Sequence, residues 1–125
     1  MRYEDKRVND IRIAYIGGGS RGWARTFMTD LAMESSISGT IRLYDIDAEA
    51  SRANEIIGNR LSRRPEAAGK WTYETCMSLE EALTGADFVV ICILPGTLMR
   101  WRWMSICRSV WGSISPWGIP RAREV

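Results

Sequence analysis

The residues best suited to chemistry lie in a glycine-rich segment near the start of the chain. Gly17, Gly19 and Gly22 fit the pattern G-x-G-x-x-G. In that pattern the first glycine allows a tight turn, the second lets a diphosphate approach the backbone, and the third packs a helix against a strand. Backbone N–H groups at the start of the following helix then face the phosphates. We therefore predict that a dinucleotide binds along this loop, at Gly17, Gly18, Gly19, Ser20, Arg21 and Gly22.

A carboxylate follows at the distance that such a site requires. Asp45 comes at the end of a second apolar run and lies 23 residues after Gly22. A carboxylate about 20 residues after the glycines holds the adenosine ribose hydroxyls. It would also repel a 2′-phosphate, which favours NAD over NADP. The alternative is that Asp45 or Asp47 only caps the next helix, and we assign that cap to Asp47.

Four apolar runs predict the strands that position these residues. The run that leads into the glycines is rich in β-branched residues, as in a strand buried on both faces of a parallel sheet. With helices between them, the runs predict an α/β fold, a partial Rossmann-like doubly wound parallel sheet of strand order 3-2-1-4. Residues 1–10 are expected to be a polar, mobile lead-in. The four strands are residues 11–16, 40–44, 70–76 and 88–94.

Helical periodicity predicts which side chains face the sheet. On the first helix Trp23, Phe27 and Leu31 fall on one stripe, so we place Trp23 in the core, with lining of the cofactor pocket as the alternative. Arg21 and Arg25 near its start either neutralise phosphate charge or are solvated. Residues 78–81 form a capping box before a short third helix. The second helix, residues 48–61, carries an apolar stripe of Ala50, Ala53, Ile56, Ile57 and Leu61.

The loop after the fourth strand is a second candidate contact for the cofactor. Pro95 and Gly96 break the apolar run and lie at the carboxyl end of a strand that neighbours the first. The nicotinamide half of a dinucleotide crosses the sheet at that point. Pro95 and Gly96 either form a backbone wall for its ribose or make an ordinary strand-ending turn.

Four segments together resemble the N-terminal domain of family 4 glycoside hydrolases. They are Ile13-Ala-Tyr-Ile-Gly-Gly-Gly-Ser-Arg-Gly-Trp-Ala24, Leu43-Tyr-Asp-Ile-Asp47, Asn54-Glu-Ile-Ile-Gly-Asn59 and Ile93-Leu-Pro-Gly-Thr97. The resemblance covers residues 11–97 and implies NAD and a divalent metal, usually manganese. It implies hydride abstraction at carbon 3 of the sugar, proton loss at carbon 2, elimination, water addition and hydride return. This family does not follow the two-carboxylate scheme of most glycosidases.

Within that family, the glycine loop and residues 70–74 look nearest to the α-galacturonidase branch. α-Glucosidases and 6-phospho-glycosidases stay open as alternatives. The family's metal-binding Cys and His and its catalytic base lie beyond the region that this chain represents. We therefore assign no catalytic and no metal-binding residue here, and Cys92 is not taken as the metal ligand.

Composition limits the partners and cellular locations that the chain is expected to have. The chain has 125 residues, of which 46% are hydrophobic, and a net charge of +2, too small to suggest nucleic acid. Its three cysteines form no C-x-x-C pair, which favours reduced thiols and a cytoplasmic location. No run approaches transmembrane length. We expect a small-molecule glycoside as the partner of the intact enzyme, no nucleic-acid or membrane partner, and a homo-oligomer at full length.

The final segment, residues 98–125, is a different kind of sequence. It carries four tryptophans and five arginines without helical or strand periodicity. Residues 98–101 can be coded TTG-ATG-AGA-TGG, and one restored T yields Phe-Asp-Glu-Met, which resembles the family after Pro-Gly-Thr. Because Trp and Met have single codons, several restored residues are forced. We therefore divide the chain into an NAD-binding domain, residues 1–97, and an irregular, frameshifted tail, residues 98–125.

Two other functions remain open from the residues alone. The glycine motif also suits an NAD-dependent sugar or hydroxy-acid dehydrogenase. A tail rich in Trp and Arg could instead stack on nucleic acid. We favour the NAD-binding fragment of a family 4 glycosidase, and we expect the chain by itself to be catalytically incomplete.

Overall fold

The computed structural model describes residues 1–93. Three helices alternate with the strands of a five-stranded sheet. The elements are β1 (Arg2–Glu4), β2 (Arg7–Ile16), α1 (Trp23–Met33), β3 (Ile37–Tyr44), α2 (Ala48–Ser62), β4 (Trp71–Thr75), α3 (Leu79–Leu83) and β5 (Phe88–Ile91).

The four predicted strands form a parallel sheet in the predicted order. β4 pairs with β3, β3 with β2, and β2 with β5, all in parallel. This is the order 3-2-1-4 when only the parallel strands are counted, so the fold class is confirmed. Because the strands are parallel, the carboxyl ends of β2, β3 and β5 meet at one edge of the sheet, where the glycine loop begins.

The first ten residues do not form the mobile lead-in that their polarity suggested. β1 pairs antiparallel with the start of β2, from Arg2 opposite Asn9 to Glu4 opposite Arg7. Asp5 and Lys6 make the turn with positive φ angles of 39° and 69°. The expectation was wrong because backbone pairing with β2 orders a mostly polar segment whose sequence does not indicate a strand.

The core lies between the sheet and the helices α1 and α2. Alternate residues of β2 and β3 pack against Met28 and Leu31 of α1, and Met28 is 1% exposed. Trp23 begins α1 and is 61% exposed, so its predicted place in the core was wrong. The predicted stripe was off by one position, because the buried residues of α1 are Ala24, Met28, Leu31 and Ala32.

The buried face of α2 also differs from the predicted apolar stripe. Its buried residues are Ser51, Asn54 and Gly58, whereas Ile56 and Ile57 are exposed. At Gly58 a Cβ atom would lie 2.6 Å from the Tyr73 ring, so α2 approaches β4 too closely for a larger residue. The predicted stripe was wrong because α2 packs through small and polar residues rather than through aliphatic ones.

The capping box before α3 forms with one change of partner. The Ser78 hydroxyl accepts the Glu81 N–H at 3.1 Å, as predicted. The Glu81 carboxylate accepts from the N–H of Met77 rather than from that of Ser78, at 3.0 Å. Both bonds satisfy amides at the start of a helix that has only five residues.

Candidate cofactor site

The glycine loop, residues 17–22, is bound to the neighbouring strand β3. The N–H groups of Gly17 and Gly18 both donate to the Tyr44 carbonyl, at 2.8 and 2.9 Å. The Ser20 N–H donates back to the Gly17 carbonyl at 3.1 Å. The loop therefore leaves β2 as a tight turn that lies directly beside the end of β3.

Three of the glycines are required by close contacts. Gly17 has a φ of +98°, and a Cβ there would lie 1.9 Å from the Cys92 carbonyl oxygen. A Cβ on Gly18 would lie 2.7 Å from the Leu43 Cβ. On Gly19 it would lie 2.8 Å from the Ala50 Cβ of α2 and 2.9 Å from an oxygen of Asp45. The three glycines therefore let the loop approach the ends of β5 and β3 and the start of α2.

Gly22 does not have the packing role that the motif suggested. A Cβ on Gly22 would meet no atom within 4 Å. Gly22 is the N-cap residue just before α1, and its carbonyl accepts the Thr26 N–H at 3.0 Å. The prediction that this glycine packs the helix against the strand was therefore wrong, and the open space beside it borders the exposed start of α1.

Asp45 faces the glycine loop from the end of β3. One of its carboxylate oxygens accepts the Gly19 N–H at 2.9 Å, and the other accepts the Asp47 N–H at 3.1 Å. A carboxylate oxygen can accept two hydrogen bonds, so each oxygen retains capacity for a hydroxyl donor. Asp47 caps α2 through the Ala50 N–H at 3.1 Å, which confirms its assignment as the cap.

The start of α1 presents hydrogen-bond donors beside the loop. The Ser20 hydroxyl accepts the Trp23 N–H at 3.2 Å. Within residues 1–93 no acceptor lies in reach of the N–H groups of Arg21 and Gly22. The Arg21 side chain is exposed next to them. Two amides, a guanidinium and the positive end of the helix dipole together favour an anion at this position.

Asn54 also belongs to this site, although no sequence motif predicted it. Its side chain is 1% exposed, and its Nδ2 donates to the carbonyls of Gly18 and Ser20, at 2.7 and 2.9 Å. Its Oδ1 accepts from Nε of Arg25 at 3.1 Å. One signal was present in the sequence: Asn54 lies three residues after Ser51 and four before Gly58, on a helix face whose small residues indicate close packing.

A buried phenol supports the loop from the preceding strand. Tyr15 is 3% exposed, and its ring lies 5.3 Å from that of Phe27. Burial raises the pKa of Tyr15 well above its ordinary value, and a hydrogen bond with Cys92 raises it further. Burial likewise raises the pKa of the Cys76 thiol, with a further contribution from Glu81. Neither group is ionised near neutral pH, so both act in packing rather than as nucleophiles.

Two of the predicted contacts, Pro95 and Gly96, lie outside the described residues. Within residues 1–93 there is no group of three His, Cys, Asp or Glu side chains that could hold a metal ion. No helix in this part of the chain is long and apolar enough to cross a membrane.

Comparison with known proteins identifies relatives over most of the chain. The sequence profile of the family 4 glycosyl hydrolases matches residues 12–109. Proteins named alpha-galacturonidase from Lachnoclostridium phytofermentans and Thermoanaerobacterium saccharolyticum are each 57% identical over 98% of the chain. The chain spans 28% of the length of these two relatives.

Solved structures resemble the fold. The Bacillus subtilis protein lplD, described as a glucosidase, is 41% identical with a TM-score of 0.71, over 87% of this chain and 26% of its own. The 6-phospho-beta glucosidase from Thermotoga maritima, solved with NAD and glucose-6-phosphate, is 24% identical with a TM-score of 0.62. That alignment covers 84% of this chain and 24% of the other. The profile match and the two relatives show that this chain belongs to the family 4 glycosyl hydrolases.

Proposed function

We propose that this chain is the NAD-binding N-terminal part of a family 4 glycosidase that acts on α-galacturonides. The observation that carries the proposal is the geometry of Asp45, whose carboxylate faces the glycine loop and accepts the Gly19 N–H at 2.9 Å. The names of the two clostridial relatives support the substrate. The NAD in the Thermotoga maritima structure supports the cofactor.

The loop residues fit a dinucleotide in three respects. The N–H groups of Arg21 and Gly22 with the Arg21 guanidinium would hold the diphosphate at the start of α1. The Asp45 carboxylate would accept the adenosine ribose hydroxyls and repel a 2′-phosphate. The glycines keep side chains away from the backbone that the phosphates approach. NAD, when bound, would accept a hydride from the sugar and later return it.

The described residues do not provide a binding site for the metal of the proposed reaction. The chain has no histidine, and residues 1–93 bring no three metal-ligating side chains together. We therefore assign the manganese ligands and the catalytic base to parts of the intact enzyme outside this region, and we derive no metal-dependent step from these residues.

The remaining parts of the proposal concern the intact enzyme. We propose a small-molecule glycoside as its partner, a cytoplasmic location, and a homo-oligomeric state. Residues 1–97 would form its NAD-binding domain, and residues 98–125 would be a frameshifted tail. By itself the chain would bind NAD without hydrolysing a glycoside.

Replacing Asp45 tests the cofactor assignment. We expect Asp45→Ala to weaken NAD binding by about tenfold or more, because a charged acceptor of hydroxyl hydrogen bonds is lost. The measurement is an isothermal titration of the chain with NAD and with NADP. Asp47→Ala is the matched control, since it removes the α2 cap and costs about 1 kcal/mol of stability without touching the ribose. Equal NAD affinity in Asp45→Ala and its parent would contradict the assignment.

A second assay separates a glycosidase from a dehydrogenase. The frame-corrected, full-length protein should release nitrophenol from a nitrophenyl α-galacturonide and should require both NAD and manganese. Net production of NADH from a free sugar alcohol or hydroxy acid, without glycoside hydrolysis, would instead indicate a dehydrogenase.

A further inference from the structure

The side-chain amide of Asn54 joins α2 to the glycine loop through two carbonyls. Both of its N–H groups are used, one on the Gly18 carbonyl and one on the Ser20 carbonyl. A buried amide with both N–H groups satisfied holds the backbone that it binds in one orientation, because releasing it would leave buried polar groups without partners.

Fixing these two carbonyls also fixes the amides that follow them. In a planar trans peptide the carbonyl of one residue and the N–H of the next point in opposite directions. With the Gly18 and Ser20 carbonyls held against Asn54, the N–H groups of Gly19 and Arg21 must point away from α2. The Gly19 N–H then reaches Asp45, at 2.9 Å. The Arg21 N–H belongs to the donors at the start of α1 that would face a diphosphate.

Arg25 determines which way round the Asn54 amide lies. Its Nε donates to Oδ1 at 3.1 Å, and only an oxygen can accept that bond. The NH₂ group is thereby directed toward the two loop carbonyls, which can only accept. An aspartate of the same shape would place a charged oxygen against those carbonyls and would reverse the interaction from attraction to repulsion.

We propose that Asn54 is a positioning residue for the cofactor: it orients the Gly19 and Arg21 amides toward Asp45 and the dinucleotide diphosphate. This inference rests on the proposed NAD site. It assigns to a residue of α2 an influence on how that diphosphate is bound.

The test compares ligands with and without the diphosphate. Asn54→Asp should weaken binding of ADP-ribose to the chain by about tenfold or more, because the amides that meet the phosphates lose their orientation. Adenosine has no phosphate, and Asp45 keeps its bond to the Asp47 N–H, so adenosine affinity should change by less than about threefold. Affinities are measured by NMR titration at a temperature where every variant is folded. If Asn54→Asp does not fold, Asn54→Ala takes its place, because it removes the donors without adding charge. Its affinity for ADP-ribose should likewise fall more than its affinity for adenosine.

The chain provides two matched controls on the same helix. Asn59 makes a similar pair of bonds to β4, donating to the Tyr73 carbonyl at 2.9 Å and accepting the Tyr73 N–H at 3.0 Å. Asn59→Asp therefore repeats the chemical change away from the loop. The buried Ser51 hydroxyl has no hydrogen-bond partner among the described residues, so Ser51→Ala tests a change on the buried face alone. Both controls should bind ADP-ribose like the parent.

Amide hydrogen exchange without ligand provides an independent reading. In Asn54→Asp the Gly19 amide should exchange faster than in the parent, because its bond to Asp45 weakens, whereas in Asn59→Asp it should not. Equal ADP-ribose affinity in Asn54→Asp, Asn54→Ala and the parent would overturn the positioning role and leave the NAD site in place. A parent chain that binds neither NAD nor ADP-ribose would overturn the NAD site itself.

Discussion

At the scale of single residues, Gly17 is the glycine at which substitution is tolerated least. It combines a φ of +98° with a carbonyl oxygen 1.9 Å from where a Cβ would lie. The obstructing oxygen belongs to the backbone of Cys92, just after β5, so it cannot move aside as a flexible side chain would. Any L-amino acid at this position would be strained and would also separate the loop from β5.

Gly17→Ala should therefore lower the free energy of unfolding by at least about 2 kcal/mol. Gly22→Ala is the matched control, because a Cβ there meets nothing within 4 Å and its φ is negative. It should change stability by less than about 0.5 kcal/mol. Urea unfolding followed by circular dichroism measures both. If the two substitutions proved equally mild, the close contact between the loop and the end of β5 would be refuted.

The site residues fall into two groups: those that a local sequence pattern marks, and those whose contacts join distant parts of the chain. The glycines and Asp45 were predicted because a turn motif and a fixed spacing encode them. Asn54 was not, because its hydrogen bonds join residues 34 and 36 positions apart, and no local pattern marks such a pair. Trp23 was misplaced because two adjacent stripes of α1 are apolar, and the one that begins at Ala24 is the buried one.

At the scale of elements, α2 packs closely against β4. Gly58 lets the helix lie against the Tyr73 ring, and Tyr73 is 2% exposed. Burial raises the pKa of Tyr73 well above the ordinary tyrosine value of about 10. In the unfolded chain the phenol loses its proton from about pH 10 upward, whereas in the folded protein it stays neutral.

This difference predicts how stability depends on alkaline pH. Tyr73 contributes stability fully below pH 10, and the contribution is lost above it, because the unfolded state then binds fewer protons than the folded state. The slope is at most about 1.4 kcal/mol per pH unit. Tyr73→Phe should therefore flatten the fall in unfolding free energy between about pH 10 and 11. Parallel pH profiles for the two proteins, from urea unfolding, would contradict the burial of this phenol.

The order of the strands and helices was easier to predict than which face of each helix is buried. Continuous apolar runs separated by helical segments restrict the topology to few solutions, and the parallel order 3-2-1-4 followed from that. The face of α2 did not follow, because the aliphatic residues Ile56 and Ile57 are exposed in the structure. A pattern of large apolar residues cannot reveal a helix that packs through Gly, Ser and Asn.

At the scale of the whole molecule, β5 has an apolar surface that nothing in residues 1–93 covers. Phe88, Val89 and Ile91 are 53%, 49% and 68% exposed. Within the described part of the chain, β5 pairs only with β2. An exposed apolar strand with an unpaired edge favours association between copies.

Charge on this surface should reduce that association. Ile91→Lys should shift the chain toward monomer in sedimentation velocity while leaving its thermal midpoint nearly unchanged, because the substituted side chain is solvated. Val90→Lys is the neighbouring control. Val90 packs against the core, so a lysine there should destabilise the fold by several kcal/mol, about the cost of burying an unpaired charge. Unchanged self-association in Ile91→Lys would place the interacting surface elsewhere.

The frameshift proposed for residues 98–125 can be tested at the level of the gene. Sequencing across the Thr97 codon should show that one added T restores a frame that reads Phe-Asp-Glu-Met. The alignments with the clostridial relatives cover 98% of the chain and so extend past residue 97. Comparing this segment alone, in each frame, with those relatives is a second test. A better match in the present frame would refute the proposal.

The β1 hairpin also has a practical consequence for handling the protein. β1 and β5 use the same edge of β2: Arg2 lies opposite Asn9, and the Asp87 N–H donates to the Arg12 carbonyl a few residues further on. Residues added before Met1 that continued as a strand would run into the place that β5 occupies. A purification tag at the amino terminus therefore needs a flexible spacer with low β propensity, or the tag itself would compete with the protein's own last described strand.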